Sequence, residues 1–273
     1  MDSGPRTASG IALVISDVDG TLVTDDKRLA ASTVAAVARL RAAGIGFSIA
    51  SARPPIGLRG LVAELGLELP MGAFNGASVV RPDLSAIEER LIPEAAARAA
   101  LEQLLAENLE VWVFAGGAWC LRDPHGPYTD LERRTIDAEP RAVADLDTLM
   151  GSASKIVGVS RDHAHLAACE ARIGTALGDR ATVHRSQAYY LDVTPPRLDK
   201  GAFVTWMSSH LGIPTERIAT FGDAGNDRSM FARSGFSVAM GNAENAVKAA
   251  ASAVTDGNDA DGFARGVERF ILP

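Results

Sequence analysis

The stretch "IALVISDVDGTLV", residues 11–23, decides the fold. Its first six residues, Ile11 to Ser16, are β-branched and almost wholly apolar, the pattern of a strand covered on both faces. Such strands belong to parallel sheets, and an open parallel sheet binds ligands in the crevice beyond the carboxyl ends of its strands. The run ends in Asp17 and Asp19. These lie two apart, so a strand continued through them points both carboxylates to one side and turns Val18 away. Gly20 then lets the chain leave the sheet edge, and Thr21 is placed to hydrogen-bond that turn.

Working outward, strands and helices alternate. Leu29 to Gly44 carries an Ala/Val/Leu stripe at helical spacing and stops at a glycine. "IGFSIAS" (45–51) predicts a second buried strand, and "PPIGLRGLVAELG" (54–66) a helix that opens on proline. This order predicts a parallel sheet with helices on both faces. Asn75-Gly76, between the short apolar runs of 71–81, signals a hairpin.

The middle third reads differently. A helix from Pro93 to Asn108 leads into a hairpin over 110–122 around Gly116-Gly117. After a polar segment come a strand at 154–160, a helix from Asp162 to Leu177 and a strand pair over 181–193. Antiparallel strands with helices on one face predict an α+β module inserted into the α/β one. Residues 1–91 are then the first part of the core, 92–187 the insert and 188–273 the second part of the core. The parallel rhythm resumes with helix 201–211, strand 217–222, helix 226–233, strand 236–240, helix 243–251 and a closing helix over 261–270. There is no internal repeat, and no low-complexity linker beyond a few residues expected to be disordered at the start.

Three polar clusters fall on one rim of the predicted sheet: Asp17 with Asp19, Ser51 with Arg53, and "GDAGND" with Asp223, Asn226 and Asp227. Carboxylates gathered there repel one another unless a cation lies between them. An all-oxygen set suits a hard ion, Mg²⁺ held with waters and a substrate phosphate being the common case. Lys200, at the start of a predicted helix, and Arg53 supply positive charge for an anionic ligand. The inventory fits phosphate.

Other chemistries find no support. "DVDGTLVTDDKR" has its glycine at the fourth position and ends in Arg28, which is not an EF-hand register, and "DGNDADG" (256–262) reads as a polar loop. Neither a Walker-type loop nor a GxGxxG fingerprint occurs. His163 and His165 are two apart on a predicted helix and face different sides. Ser51 has no His/Asp pair in sequence, so it reads as a phosphate-contacting hydroxyl. Trp112, Trp119 and Tyr128 read as packing residues.

The 273-residue chain has 47 % hydrophobic residues, enough for a sizeable core, and a formal net charge of −7 with no Lys/Arg-rich block. That field argues against nucleic acid and anionic membranes as partners. No run approaches about 18 apolar residues, and the N-terminal residues lack a signal-peptide apolar region. Cys120 and Cys169 match no metal spacing and read as free buried thiols of a reducing compartment. A soluble cytoplasmic protein is expected, with a monomer compatible with these features.

In this order, "DVDGT", "SARP", Lys200-Gly201 and "GDAGND" resemble the four motifs of the haloacid dehalogenase superfamily of phosphatases, most closely its Cof-like branch. "MGAFNGASVV", "FSVAMGNAENAVKAAASAVT" and "DADGFARGVERF" are similar to that branch's framework segments, so the resemblance spans nearly the whole chain. It implies a Rossmann-like core with a large α/β cap between the second and third motifs. It also implies that Asp17 is the nucleophile, forming an aspartyl-phosphate, and that Asp19 is the general acid/base. Mg²⁺ is implied on the Asp17 carboxylate, the Asp19 backbone carbonyl and Asp223, with Asp227 in support. Ser51 and Lys200 are implied to hold the phosphoryl oxygens, and Asn226 and Arg53 to contact the substrate side. An acid at Asp19 needs a proton near neutral pH, which neighbouring negative charge favours.

The implied activity is hydrolysis of small phosphate esters, sugar phosphates in particular, beneath a closing cap. A sugar phosphomutase using the same aspartates and a catalytically silent phosphometabolite sensor are the alternatives. The chain departs from the family pattern in three places. Ala52 stands where glycine, which takes positive φ more readily, is common. Ser16 replaces a frequent Phe, pointing away from the Asp17 face, and Asp199 adds a negative charge beside Lys200.

Overall fold

Residues 10–272 are described in a computed structural model. The N-terminal residues expected to be disordered lie outside them, except Gly10. In chain order the elements are β1 (Leu13–Ser16), α1 (Ala31–Ala42), β2 (Gly46–Ile49), α2 (Arg59–Leu65), β3 (Met71–Ala73), β4 (Ser78–Val80), β5 (Ala86–Glu89) and α3 (Glu94–Ala106). Next come β6 (Glu110–Ala115), β7 (Ala118–Leu121), α4 (Thr129–Ile136), β8 (Arg141–Ala142), β9 (Ala153–Val159), α5 (His163–Leu177), β10 (Thr182–Gln187) and β11 (Tyr190–Thr194). The chain closes with α6 (Lys200–Leu211), β12 (Ile218–Gly222), α7 (Arg228–Phe231), β13 (Phe236–Ala239), α8 (Asn245–Lys248), β14 (Ala253–Val254) and α9 (Gly262–Gly266).

The first strand sits in the middle of a parallel sheet ordered β14-β13-β12-β1-β2. Both of its faces are covered, which is why the sequence shows no alternation there. Val14 packs with Val37 and Leu40 of α1 and Phe263 of α9. Leu13 and Ile15 pack with Phe203, Val204 and Met207 of α6 on the opposite face. The Asn75-Gly76 signal is a hairpin joining β3 to β4, with β5 added as a third antiparallel strand.

The middle third forms a separate six-stranded sheet, ordered β10-β11-β9-β6-β7-β8 and antiparallel except at β7/β8. Side chains alternate along β6. Val111, Val113 and Ala115 join the core formed with α3 and α5, whereas Trp112 and Phe114 face the other way. That second face meets Ile56, Phe74 and Ala77 of the first domain, so the inserted sheet roofs the rim where β1 ends.

Three features differ from the sequence reading. The expected return to the core at residue 188 falls inside the β10/β11 hairpin, whose second strand stays in the inserted sheet. The polar segment after β7 contains a helix, α4, bracketed by left-handed Tyr128 and Asp137. The helices expected over 226–233 and 243–251 are single turns, α7 and α8. No helix among the described residues is long and apolar enough to cross a membrane.

Candidate active site

The β1/β12 ladder extends one residue past β1, where Asp17 N donates to Phe221 O at 2.9 Å. Val18 O then accepts from the backbone N–H groups of Leu22 (2.9 Å) and Val23 (3.1 Å), a tight turn that takes the chain off the sheet. Gly20 has φ +81, and a Cβ there would lie 2.3 Å from Asp223 Oδ2. Glycine at this position thus serves the close approach of Asp223 as well as the turn. Thr21 Oγ1 donates to Asp223 Oδ1 at 3.0 Å, so the predicted turn hydroxyl ties two motifs together.

Lys200, the first residue of α6, is 1 % exposed. Its Nζ donates to Asp17 Oδ1 and, at 2.6 Å, to Asp227 Oδ1. Asp199 caps that helix, its carboxylate accepting from Ala202 N at 2.7 Å, and it also pairs with Arg233. The extra negative charge beside Lys200 is therefore structural. The other oxygen of Asp227 accepts from Asp223 N and Ala224 N, both at 2.9 Å, which shapes the "GDAGND" loop.

Oxygens of Asp17, Asp223 and Asp227 lie within 4.8 Å of one another, a set able to hold a metal ion. Burial raises the Asp17 carboxyl well above the ordinary value, opposed by Lys200. Burial, helped by Asp227, pushes Asp223 up to about 7. Lys200 is held above the usual ammonium range because Asp17 and Asp227 outweigh its burial.

Asp19 does not join this set. The strand has ended by then, and its carboxylate accepts from Arg53 Nε (2.8 Å) and Nη2 (2.9 Å) and from Lys27 Nζ (2.8 Å). Burial alone would raise its pKa, but the two cations outweigh burial and hold it well below the carboxylate range. This reverses the expectation that negative neighbours keep Asp19 protonated. Its nearest charged groups are positive.

Ser51 is buried, its Oγ accepting from Arg53 N at 3.1 Å, and it is not among the residues lining the cavity. Ala52 is not in a positive-φ conformation, so the loss of glycine strains nothing. Ser16 is fully buried and donates to Asp17 O at 2.8 Å. Three polar contacts join the roof to the rim. Arg53 Nη1 donates to Thr135 O (3.1 Å), Lys155 Nζ donates to Ala52 O (3.1 Å), and Asn75 Nδ2 lies 2.8 Å from His184 Nε2. Asn226 Nδ2 continues the last of these by donating to Asn75 Oδ1 at 3.1 Å.

Between rim and roof is a cavity lined by Asp17, Asp19, Arg53, Lys200 and Asn226 from below. Lys27, Glu132, Lys155, Tyr189 and Tyr190 also line it, and the sequence reading singled out none of these five. Lys155 carries its own counter-ion, with Nζ 2.7 Å from Asp192 Oδ2 in an ion pair too poorly aligned for a hydrogen bond. Trp112 and Trp119 are packing residues as expected. Tyr128 stacks on Tyr189 at a centroid distance of 4.3 Å.

A parallel-sheet core whose strand ends gather aspartates and a buried lysine under an inserted roof is the architecture of a cap-bearing phosphoryl-transfer enzyme. The chain belongs to the haloacid dehalogenase-like hydrolases, whose family pattern matches residues 14–267. Within that family it is a hydrolase acting on phosphoric monoesters. A protein of Haemophilus influenzae is 30 % identical over 264 residues, covering 92 % of this chain and 95 % of its own. An HMP-PP phosphatase of Cronobacter sakazakii is 29 % identical over 227 residues, 83 % of each chain. The solved structure of a subclass IIB sugar phosphatase shares the fold with a TM-score of 0.85 at 22 % identity, covering 96 % of this chain and 99 % of that one.

Proposed function

We propose that the protein is a Mg²⁺-dependent phosphatase of small phosphorylated metabolites, sugar phosphates foremost, working through an aspartyl-phosphate on Asp17. The observation that carries this reading is Lys200. It is a fully buried ammonium shared by Asp17 and Asp227 at the floor of the cavity, beside the carboxylates able to hold a metal ion. That donor set is all oxygen and fits a hard divalent ion. Asp17, Asp223 and Asp227 would hold the ion, with the Asp19 carbonyl contributed by family likeness. When bound, it would neutralise carboxylate and phosphoryl charge.

The Asp17 carboxylate attacks phosphorus, the bond from phosphorus to the ester oxygen breaks, and the leaving oxygen takes a proton. Water then attacks the acyl-phosphate, gives up a proton and frees Asp17 and inorganic phosphate. Asp19 is the proton carrier of both steps. Held by Arg53 and Lys27 it is ionised, the form that accepts a proton from water in the second step; for the first step it takes the proton of a monoanionic phosphate ester and passes it to the leaving oxygen. Lys200 steadies Asp17 and neutralises phosphoryl charge, and Ser51 backs the loop that carries Arg53. The HMP-PP phosphatases among the relatives support phosphate-ester chemistry for this site.

The test is phosphate release from a panel of phosphorylated metabolites with and without Mg²⁺, alongside Asp17→Asn and Asp19→Asn. Both variants should lose turnover, and only Asp17→Asn should also lose the covalent phosphoenzyme. Metal-independent release, or full activity in Asp17→Asn, would refute the reading.

A further inference from the structure

Glu132, on α4, is 8 % exposed and lines the cavity from the roof. Tyr190 Oη donates to its Oε2 at 3.1 Å, the one hydrogen bond its side chain makes among the described residues. Its Oε1 has no hydrogen-bond partner among the described residues, and the side chain lines the cavity. The nearby cations are engaged elsewhere: Arg53 and Lys27 with Asp19, Lys155 with Asp192, and Lys200 with Asp17 and Asp227. A free carboxyl oxygen is an odd lining for a cavity that receives an anionic ester. It repels phosphate, and its burial is unfavourable unless something donates to it. Burial indeed pushes its pKa up to about 7.

We infer that Glu132 recognises the leaving group: its free oxygen accepts a hydrogen bond from a hydroxyl or amino group on the part of the substrate that departs with the ester oxygen. This rests on the phosphatase reading and narrows its substrate class. The preferred esters carry a compact, uncharged leaving group with at least one donor. A second anionic group at that position meets the carboxylate and is disfavoured. Specificity of this kind arises because a polar group built for a partner is left unpaired when the partner is missing.

The experiment compares wild type, Glu132→Gln and Glu132→Ala on sugar monophosphates, an aminopyrimidine monophosphate, phenyl phosphate and phosphoglycolate. The quantity read is the ratio of kcat/KM for each ester to that for phenyl phosphate, whose leaving group offers neither donor nor charge. This ratio cancels any general loss of active enzyme. The ratio for the donor-bearing class should fall roughly 10- to 100-fold in Glu132→Ala and less in Glu132→Gln. For phosphoglycolate it should rise in both. Whether the sugar or the aminopyrimidine ester shows the fall identifies the donor as hydroxyl or amine. Ratios within about twofold of wild type in both variants would overturn the inference. So would a wild type that cleaves phenyl phosphate but prefers no donor-bearing ester. A wild type that cleaves none of the four would overturn the phosphatase reading, and this inference with it.

Discussion

Replacing Lys200 with Met keeps the length and apolar stem of the side chain and removes only its charge. In the protein that charge is 1 % exposed and shared between Asp17 and Asp227, with Asp223 alongside. Removing one partner of a buried ion pair leaves an uncompensated charge and costs about 3–5 kcal/mol. In a chain of this size each kcal/mol moves Tm by about 2–4 °C, so the melting point in chelator at pH 8 should drop by roughly 6–20 °C. At pH 5 the drop should shrink, because protonating Asp17 or Asp223, both already raised in pKa, relieves the same repulsion. Mg²⁺ should then raise Tm more in Lys200→Met than in wild type, since the variant has lost its internal counter-charge. Differential scanning calorimetry with EDTA and with excess Mg²⁺ reads all three effects. A loss under about 2 °C, or equal Mg²⁺ shifts in the two proteins, would refute the account of Lys200 as the counter-ion of a metal-binding carboxylate group.

Glu132→Gln should show a pH-dependent gain in stability. Glu132 is pushed from the ordinary 4.5 to about 7, so the folded state binds the extra proton between those values and its stability falls as pH rises through that window. The shift is worth about 3 kcal/mol at full ionisation. Urea melts of variant and wild type should therefore diverge from pH 5 to pH 8, with Lys155, Arg53, Asp19 and Tyr190 as the groups facing it. Gly20→Ala should weaken metal binding at least tenfold by calorimetry, because a Cβ would meet the Asp223 carboxylate at 2.3 Å in a left-handed turn. Lys155→Met should destabilise by about 3–5 kcal/mol through the fully buried Asp192, and Lys155→Met with Asp192→Leu should recover most of that in denaturant unfolding.

The legible parts of this protein are those whose causes are local. Leu13 to Ser16 announces a buried parallel strand because both of its faces need apolar side chains, and the carboxylates that follow inherit their place at the rim from it. The alternating 110–122 hairpin announces the insert for the same reason. What stayed hidden is tertiary. Helix α4 buries only Thr129, Glu132 and Ile136, set among Asp130, Arg133 and Arg134, so it reads as a polar loop. It is held by Tyr190 and by Ile136 packing on Gly57, far away in sequence. The boundary at 187 cuts through the strand pair read over 181–193, whose second strand, β11, pairs with β9 and stays in the inserted sheet. The pairing of Asp19 was misjudged for a related reason: same-face geometry holds only while the strand lasts, and the Asp19 cations come from residues 27 and 53.

The two aspartates of "DVDGT" therefore stand in neighbouring groups of opposite charge imbalance. Asp17 belongs to a group of three carboxylates and one ammonium, short of positive charge by two when all three are ionised. Asp19 belongs to a group of one carboxylate and two cations, with positive charge in excess by one. Buried groups so unbalanced are costly unless a ligand of matching charge completes them. A divalent cation matches the first, and a phosphoryl oxygen the second. One two-residue step of backbone sets the two groups side by side, so a metal ion and a phosphate arriving together each meet their complement. That juxtaposition explains why an apolar inner strand ends in two carboxylates rather than one.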